Sequence, residues 1–567
     1  MESCSTAIDE AQSILDDAWA ELKRVMVLPS AGLNEVFVPH FSEDEAARRS
    51  SLGKTLLARL SSTQPSSLDH DTQVALGVTA EHARRWSTEG KWYYTIFEGG
   101  GWFKSMFAPT GDGIGRLVSH VLVELGRIDV RDTVGQDRYT QCVQDLSRAV
   151  TQLRDRTSEQ AKRGIYMPKV MLPRCRDLLS GLKRQVVQQL LQNASNAPPA
   201  TKASFRRKME TLAHGPVSSA FDSFSGVVDD DYAARCSERV GISQYPDGEE
   251  IYKELIRQNT TLDISAEETH WRGHEEMANV RSAMLEITSR EGLGNDVLAY
   301  KAQLDNDQAW RRDSAEGIQA LFQQYIDRMD GVVRDHFSLL PQAGHATAPL
   351  PTALEGTFSY GYYDQPRPDR PIGLYIFNTS NLIPRALVDI AAFTFHELVP
   401  GHHLHFATQQ ENQALHPLQR HTFCNGFNEG WAEYARWYAG QIGMYHHSAE
   451  KFGSLFSDAR QASRLVVDTG LNVLGWSYDH AMSYLRDTLM QPDAEIQSLI
   501  NWYACEIPSQ SLAYKLGQME ILRLRAKVQA AMGNRFDNKT FHAAVIRNGG
   551  RPFHLVEADL DRLIAGA

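Results

Sequence analysis

The chain predicts a mainly α-helical protein, and three observations carry that reading. Apolar residues recur at three-to-four spacing over long stretches. Strand signals are few. The 55 residues from Ile264 to Ile318 contain no Pro, so nothing there forces a helix to stop except glycine.

Taken in order, Thr6-x-x-Asp9 has the form of a capping box ahead of Ile8, Ala11, Leu15, Trp19 and Leu22. Leu178, Leu182, Val186 and Leu190 repeat every fourth residue, with Arg184 and Gln188 opposite. Gly292-Leu293-Gly294 is the expected break between the helices of 264–318. One strand stands out, Ile372–Phe377, bounded by the Pro-rich stretch Asp364–Pro371 and by Asn378-Thr-Ser. It supplies a small β element beside the segment that carries chemistry. Gly99-Gly100-Gly101 lacks the following Lys-Ser/Thr of a phosphate cradle and reads as a turn. Ala- and Pro-bearing linkers at Asn193–Lys202 and Gln342–Pro351 divide the chain into an N-terminal helical region (1–200), a middle helical region (201–350) and a C-terminal region (351–567). The last holds the chemistry, and the three are expected to intertwine.

A length of 567 residues allows three to four domain-sized units or one large helical enzyme. Hydrophobic residues at 42% and charged residues at 23% exclude wholesale disorder. A net charge of −12 argues against nucleic acid or an anionic membrane as partner. No apolar run reaches the ~18–20 residues of a membrane span. MESCSTAIDEAQS lacks the basic flank and apolar stretch of a signal peptide. The six cysteines form no C-x-x-C pair, which excludes a zinc ribbon and points to a reducing compartment. A cytoplasmic protein is expected.

Residues 391–408 read AAFTFHELVPGHHLHFAT. In the H-E-x-x-H helix of zinc hydrolases two imidazoles one turn apart reach one Zn²⁺, and the Glu beside them is the general base. Here His396-Glu397 is followed four residues after His396 by Pro400, which cannot ligate and which breaks or bulges a helix. A two-residue bulge brings His402 into the second ligand's place. A continuous helix instead brings His403 back into phase, about 10 Å further along. A catalytic zinc needs a third protein ligand and a place for water. Asn428-Glu429-Gly430-Trp431-Ala432-Glu433-Tyr434 looks like the gluzincin aminopeptidase segment whose Glu supplies that ligand, here Glu429. Twenty-six residues separate it from His402, room for a turn and a return helix. Glu433, one turn on, would support a ligand from behind.

HELVPGHH, NEGWAEY, RLVVDTGLNVLGW (Arg464–Trp476) and PSQSLAYKLG (Pro508–Gly517) follow one another as in the family called domain of unknown function 885, which this chain resembles over roughly residues 200–567. Tyr245–Glu268 and Gly549–Ile564 are similar to it as well. The resemblance implies a helical, gluzincin-like metallohydrolase fold with one Zn²⁺ per chain. It also implies a role for Tyr514 as donor to a developing oxyanion. Gln510 would orient substrate or open a helix, and Lys515 would be a surface charge. Arg464 and Asp468 would form an i,i+4 pair or hold a ligand histidine. Where the family has His in D-T-G-x-H, this chain has Asn472. Either Tyr514, His421 or His480 replaces that group, or the reaction is altered, or the His was never catalytic.

The expected function is a zinc-dependent hydrolase acting on an amide or peptide bond of a small peptide-like substrate, with Glu397 activating the water and strand Ile372–Phe377 offering an edge to extended substrate. The alternatives are a metal enzyme of specialised metabolism acting on a non-peptide amide or catalysing condensation or elimination, and a non-catalytic metal-binding scaffold. The scaffold has no use for Glu397.

Overall fold

The structure, a computed structural model, describes residues 2–28, 31, 38–63, 67–99, 102–350, 360–489 and 491–566, with the side chains of 2–6 excluded. Gly100, Gly101 and Pro351 lie outside the described residues. The fold is mainly helical with small sheets. Contacts divide it into two compact units, residues 1–251 with 501–508, and residues 252–500 with 509–567. This differs from the three-part division at 200 and 350. The polar stretch after residue 193 is only the short turn between two helices of the first unit, and 344–349 is a strand.

In the first unit the principal helices are α1 (Glu2–Val25), α2 (Glu43–Ser62), α3 (His70–Ser87), α4 (Thr133–Lys162) and α5 (Leu172–Ala194). Side-chain oxygens of Ser42, Asp69 and Asp132 cap α2, α3 and α4 by accepting the N–H three residues on. Thr6 is no cap, because α1 starts at Glu2. The stripes read from sequence are buried at Ala11, Leu15 and Leu22 on α1 and at Leu182, Val186 and Leu190 on α5, whereas Ile8 is exposed. A two-residue hairpin joins β1 (Phe97–Glu98) to β2 (Lys104–Ser105). Buried charges here meet opposite charges: Arg49 donates to Glu21 at 3.1 Å and to Glu89, and Arg85 donates to Glu98 at 2.6 Å.

The second unit holds α6 (Ala266–Arg290), α7 (Ala315–Asp330), and a sheet of β3 (Gly344–Pro349), β4 (Gly361–Asp364) and β5 (Ile372–Phe377). The expected break at 292–294 is present, with Gly292 and Gly294 at φ 81° and 59°. β5 is the centre of the sheet, parallel to β3 and antiparallel to β4. The strand has the predicted bounds, but both its edges are already hydrogen-bonded, so it offers none to a substrate.

Five further helices build the site: α8 (Ile390–Glu397), α9 (His402–Glu411), α10 (Asn425–Gln441), α11 (Ser448–Asn472) and α12 (Leu512–Met532). Their apolar faces share one core, with Phe395, Leu404, Phe427, Trp431, Tyr434 and Ile521 all buried. α10 and α12 cross at Gly430 and Gly517, where a Cβ on Gly430 would lie 2.5 Å from the Gly517 backbone. Any larger residue would force apart the two helices that bear Glu429 and Tyr514.

Candidate metal centre

The chain around Pro400 decides which histidines meet. α8 ends at Glu397 and α9 begins at His402, so the helix is broken rather than continued. Val399–Pro400 is cis, and the Trp431 indole N–H donates to the Pro400 carbonyl at 2.9 Å, fixing the break against α10. Gly401 fits because a Cβ there would meet the His396 carbonyl oxygen at 1.8 Å.

The break brings His402 next to His396. His396 Nε2 lies 3.7 Å and His402 Nε2 3.3 Å from Glu429 Oε2. All three residues are buried, and their ligand atoms lie within 4.8 Å of one another. In tetrahedral zinc, ligand atoms about 2.0–2.1 Å from the metal stand about 3.3 Å from each other, close to this spacing. Glu429 Oε2 has no hydrogen-bond donor among the described residues, although it is buried, where a carboxylate needs a cation or donors. The residues present therefore fit a divalent metal.

His403 is not part of this cluster. Its Nδ1 is 2.9 Å from the Tyr363 hydroxyl and its Nε2 2.9 Å from the Ala343 carbonyl. It packs on β5 at Gly373, where a Cβ would come 2.4 Å from Nδ1. The in-phase alternative required an unbroken helix, which Pro400 prevents.

The far nitrogens of the two histidines are also held. His396 Nδ1 faces Glu433 Oε1 at 3.0 Å, and His402 Nδ1 faces His405 Nε2 at 3.2 Å. Such contacts fix tautomer and ring orientation. Glu433 accepts from Arg436 at 2.6 Å and Gln461 at 2.8 Å. Burial alone would raise its acid constant, but Arg436 and His396 outweigh burial and hold the carboxyl well below its ordinary range. Sequence reasoning assigned no role to His405, Arg436 or Gln461. Only the i,i+3 spacings His402–His405 and Glu433–Arg436 signal them.

Glu397 sits beside the triad, and its carboxyl is pushed up, chiefly by burial, with His396 and His402 opposing. Tyr514 stacks on the His396 ring at 6.2 Å. Its hydroxyl is pushed far up by burial, and the Gln510 side chain hydrogen-bonds to it. Gln510 also donates to Asn425 at 3.2 Å. Arg464 places its guanidinium 4.2 Å over the Tyr514 ring.

Asp468 and Asn472 serve a different end from the one expected. Asp468 accepts from Tyr252, Ser511, the Ser509 backbone and Asn472, which fastens the segment that opens α12 ahead of Tyr514. The ligand histidines are held by Glu433 and His405 instead. Asn472 is fully buried and donates to the Asp468 carbonyl and carboxylate, both at 2.9 Å. Lys515 is buried between Asp458 and Glu276, each at 2.9 Å, and is no surface charge.

No helix among the described residues is long and apolar enough to cross a membrane. No curated protein matches the chain. Among solved structures, the crystal structure of a "putative lipoprotein" from Colwellia psychrerythraea superposes with a TM-score of 0.88 at 21% identity, covering 99% of both chains. A "putative lipoprotein of unknown function" from Shewanella oneidensis superposes with a TM-score of 0.70 at 15% identity, covering 97% of this chain and 99% of its own. At these identities the likeness is one of fold. The family model described as "Bacterial protein of unknown function (DUF885)" matches residues 30–560, nearly the whole chain, and the protein belongs to that family.

Proposed function

We propose that the protein is a zinc-dependent hydrolase with a gluzincin-like site, cleaving an amide or peptide bond in a small peptide-like substrate. One observation carries this reading: His396, His402 and Glu429 converge on one point while Glu397, the next residue after a ligand, keeps a free-standing buried carboxylate beside it. A structural metal site needs the ligands alone.

Zinc bound there would act as a Lewis acid and lower the acidity constant of water. The chain's own residues supply the rest. Glu397 takes the proton of the attacking water and passes it to the leaving amine, a task its raised affinity for protons suits. The Tyr514 hydroxyl donates to the carbonyl oxygen as charge develops on it. Glu433 and His405 keep both ligand imidazoles oriented, so no reorganisation accompanies the reaction.

Metal analysis of the purified protein tests this directly. About one zinc per chain is expected, lost in His396→Ala, His402→Ala and Glu429→Ala and retained in His403→Ala and Glu397→Gln. Glu397→Gln should lower hydrolysis of a peptide library by about 10²–10⁴-fold. A folded protein that takes up no zinc under zinc-replete conditions refutes the reading.

A further inference from the structure

α11 carries Arg460, Arg464, Asp468 and Asn472 at four-residue spacing, all buried and thus on one face. Asp468 and Asn472 are occupied in fastening the start of α12. The two arginines lie beside the catalytic groups. Arg460 is 3% exposed, and its guanidinium lies over the rings of Tyr360 at 4.6 Å and Phe393 at 5.2 Å. Its nearest carboxylate is Asp389 at 3.6 Å, which already accepts from Arg385 through both oxygens at 2.9 Å. The other neighbouring carboxylate, Glu495, accepts from the Tyr360 hydroxyl. Nε and Nη2 of Arg460 have no hydrogen-bond partner among the described residues.

Burying guanidinium donors without acceptors is costly. Stacking on ring faces holds the guanidinium plane and leaves its N–H edge, the edge that pairs bidentately with a carboxylate, free to act. Arg460 and Glu397 both act on the hydroxyl of Tyr375, so they flank the same side chain. Arg464 lies over Tyr514, which stacks on His396. The two contacts laid end to end are spanned by about three extended residues at ~3.3–3.6 Å each. The remaining buried charges around the triad, Glu433, Arg436, Asp458, Lys515 and Glu276, pair with one another.

We propose that Arg460 and Arg464 form a carboxylate-recognition subsite, so that the substrate bears a free carboxylate within about three residues of the bond cleaved. This rests on the hydrolase reading. The carboxylate comes from a peptide's C-terminus or from an acidic side chain. In either case the pair of guanidiniums binds it, orients the chain across the site and excludes blocked, neutral ends.

The test is calorimetric binding to zinc-loaded Glu397→Gln protein, which does not turn over its ligand. The probes are an N-acetylated trialanine acid, its C-terminal amide, and the same amide ending in aspartate. The acid should bind roughly tenfold or more tighter than the plain amide. That preference should collapse in Arg460→Gln and Arg464→Gln and stay intact in Arg486→Gln, an exposed arginine paired with Asp493. An aspartyl amide that binds like the acid admits side-chain carboxylates, and one that binds like the plain amide assigns the subsite to the terminus. Equal binding of acid and plain amide, or binding of neither, overturns the proposal, and this comparison depends on no arginine variant folding. If unmutated enzyme hydrolyses acid and amide alike, the subsite fails and the hydrolase reading stands. If the protein takes up no zinc, the hydrolase reading fails, and the acid-over-amide preference is then read on the metal-free chain.

Discussion

The two units bury the same kinds of side chain to opposite ends. In the first, Glu21, Glu89 and Glu98 each meet a guanidinium from Arg49 or Arg85, so positive and negative groups close on themselves. In the second, Glu433, Arg436, Asp458 and Lys515 close in the same way, but His396, His402, Glu429 and Glu397 do not. Their nitrogens and oxygens point at a shared space with no cation from the chain between them. A closed set is tied to folding, since removing one member strands a buried charge. An open set gains its missing charge from outside and is tied to binding. What distinguishes them is whether the opposite charge lies within the chain.

The sharpest way to break this contrast is to remove one member of each set. Arg49→Met should cost about 3–5 kcal/mol of stability whether or not zinc is present, by denaturant unfolding. Glu429→Gln should leave metal-free stability within about 1 kcal/mol, since no donor satisfies Glu429 Oε2, yet abolish stabilisation by added zinc. If the two variants behave alike, the distinction between closed and open sets fails. Next in size, Tyr514→Phe should lower kcat by about 10²–10³, roughly 2.7–4 kcal/mol, with KM and zinc content unchanged. An unchanged kcat removes Tyr514 from the reaction.

Acid should separate the units further. Burial pushes His542 down to about 3 and His421 to about 4 in the second unit, and His82 to about 3 in the first. These groups are neutral when folded and bind protons more readily when unfolded. Their contribution is present above pH ~6.5 and is lost as pH falls through that value toward 3–4. At pH ~5 each should cost about 2 kcal/mol, so hydrogen-exchange protection should fall faster in the second unit. Equal loss in both units would contradict this. The smallest effect belongs to Asn472→Ala, which should cost about 1 kcal/mol by loss of its bonds to Asp468 and leave zinc content unchanged.

Much of the site was legible along the chain because its signals are local. His396-Glu397, the Asn428–Tyr434 segment and the strand Ile372–Phe377 each lie within one element, and their residue types and spacing state the chemistry without tertiary information. That Pro400 interrupts the helix was equally local. Where the chain went after the break was not, because Trp431 on another helix and Gly401 against the His396 carbonyl choose the path, and with it His402 over His403. The same holds for Lys515 and Asp468. A lysine in a helical run and an aspartate four residues from an arginine read as surface groups until α6, α11 and α12 pack around them. Residue type and period, which follow from each residue's own backbone and neighbours, were determined by the sequence alone. Burial, and the choice of partner for each charged side chain, depend on groups hundreds of residues apart and were decided only when the helices closed on one another.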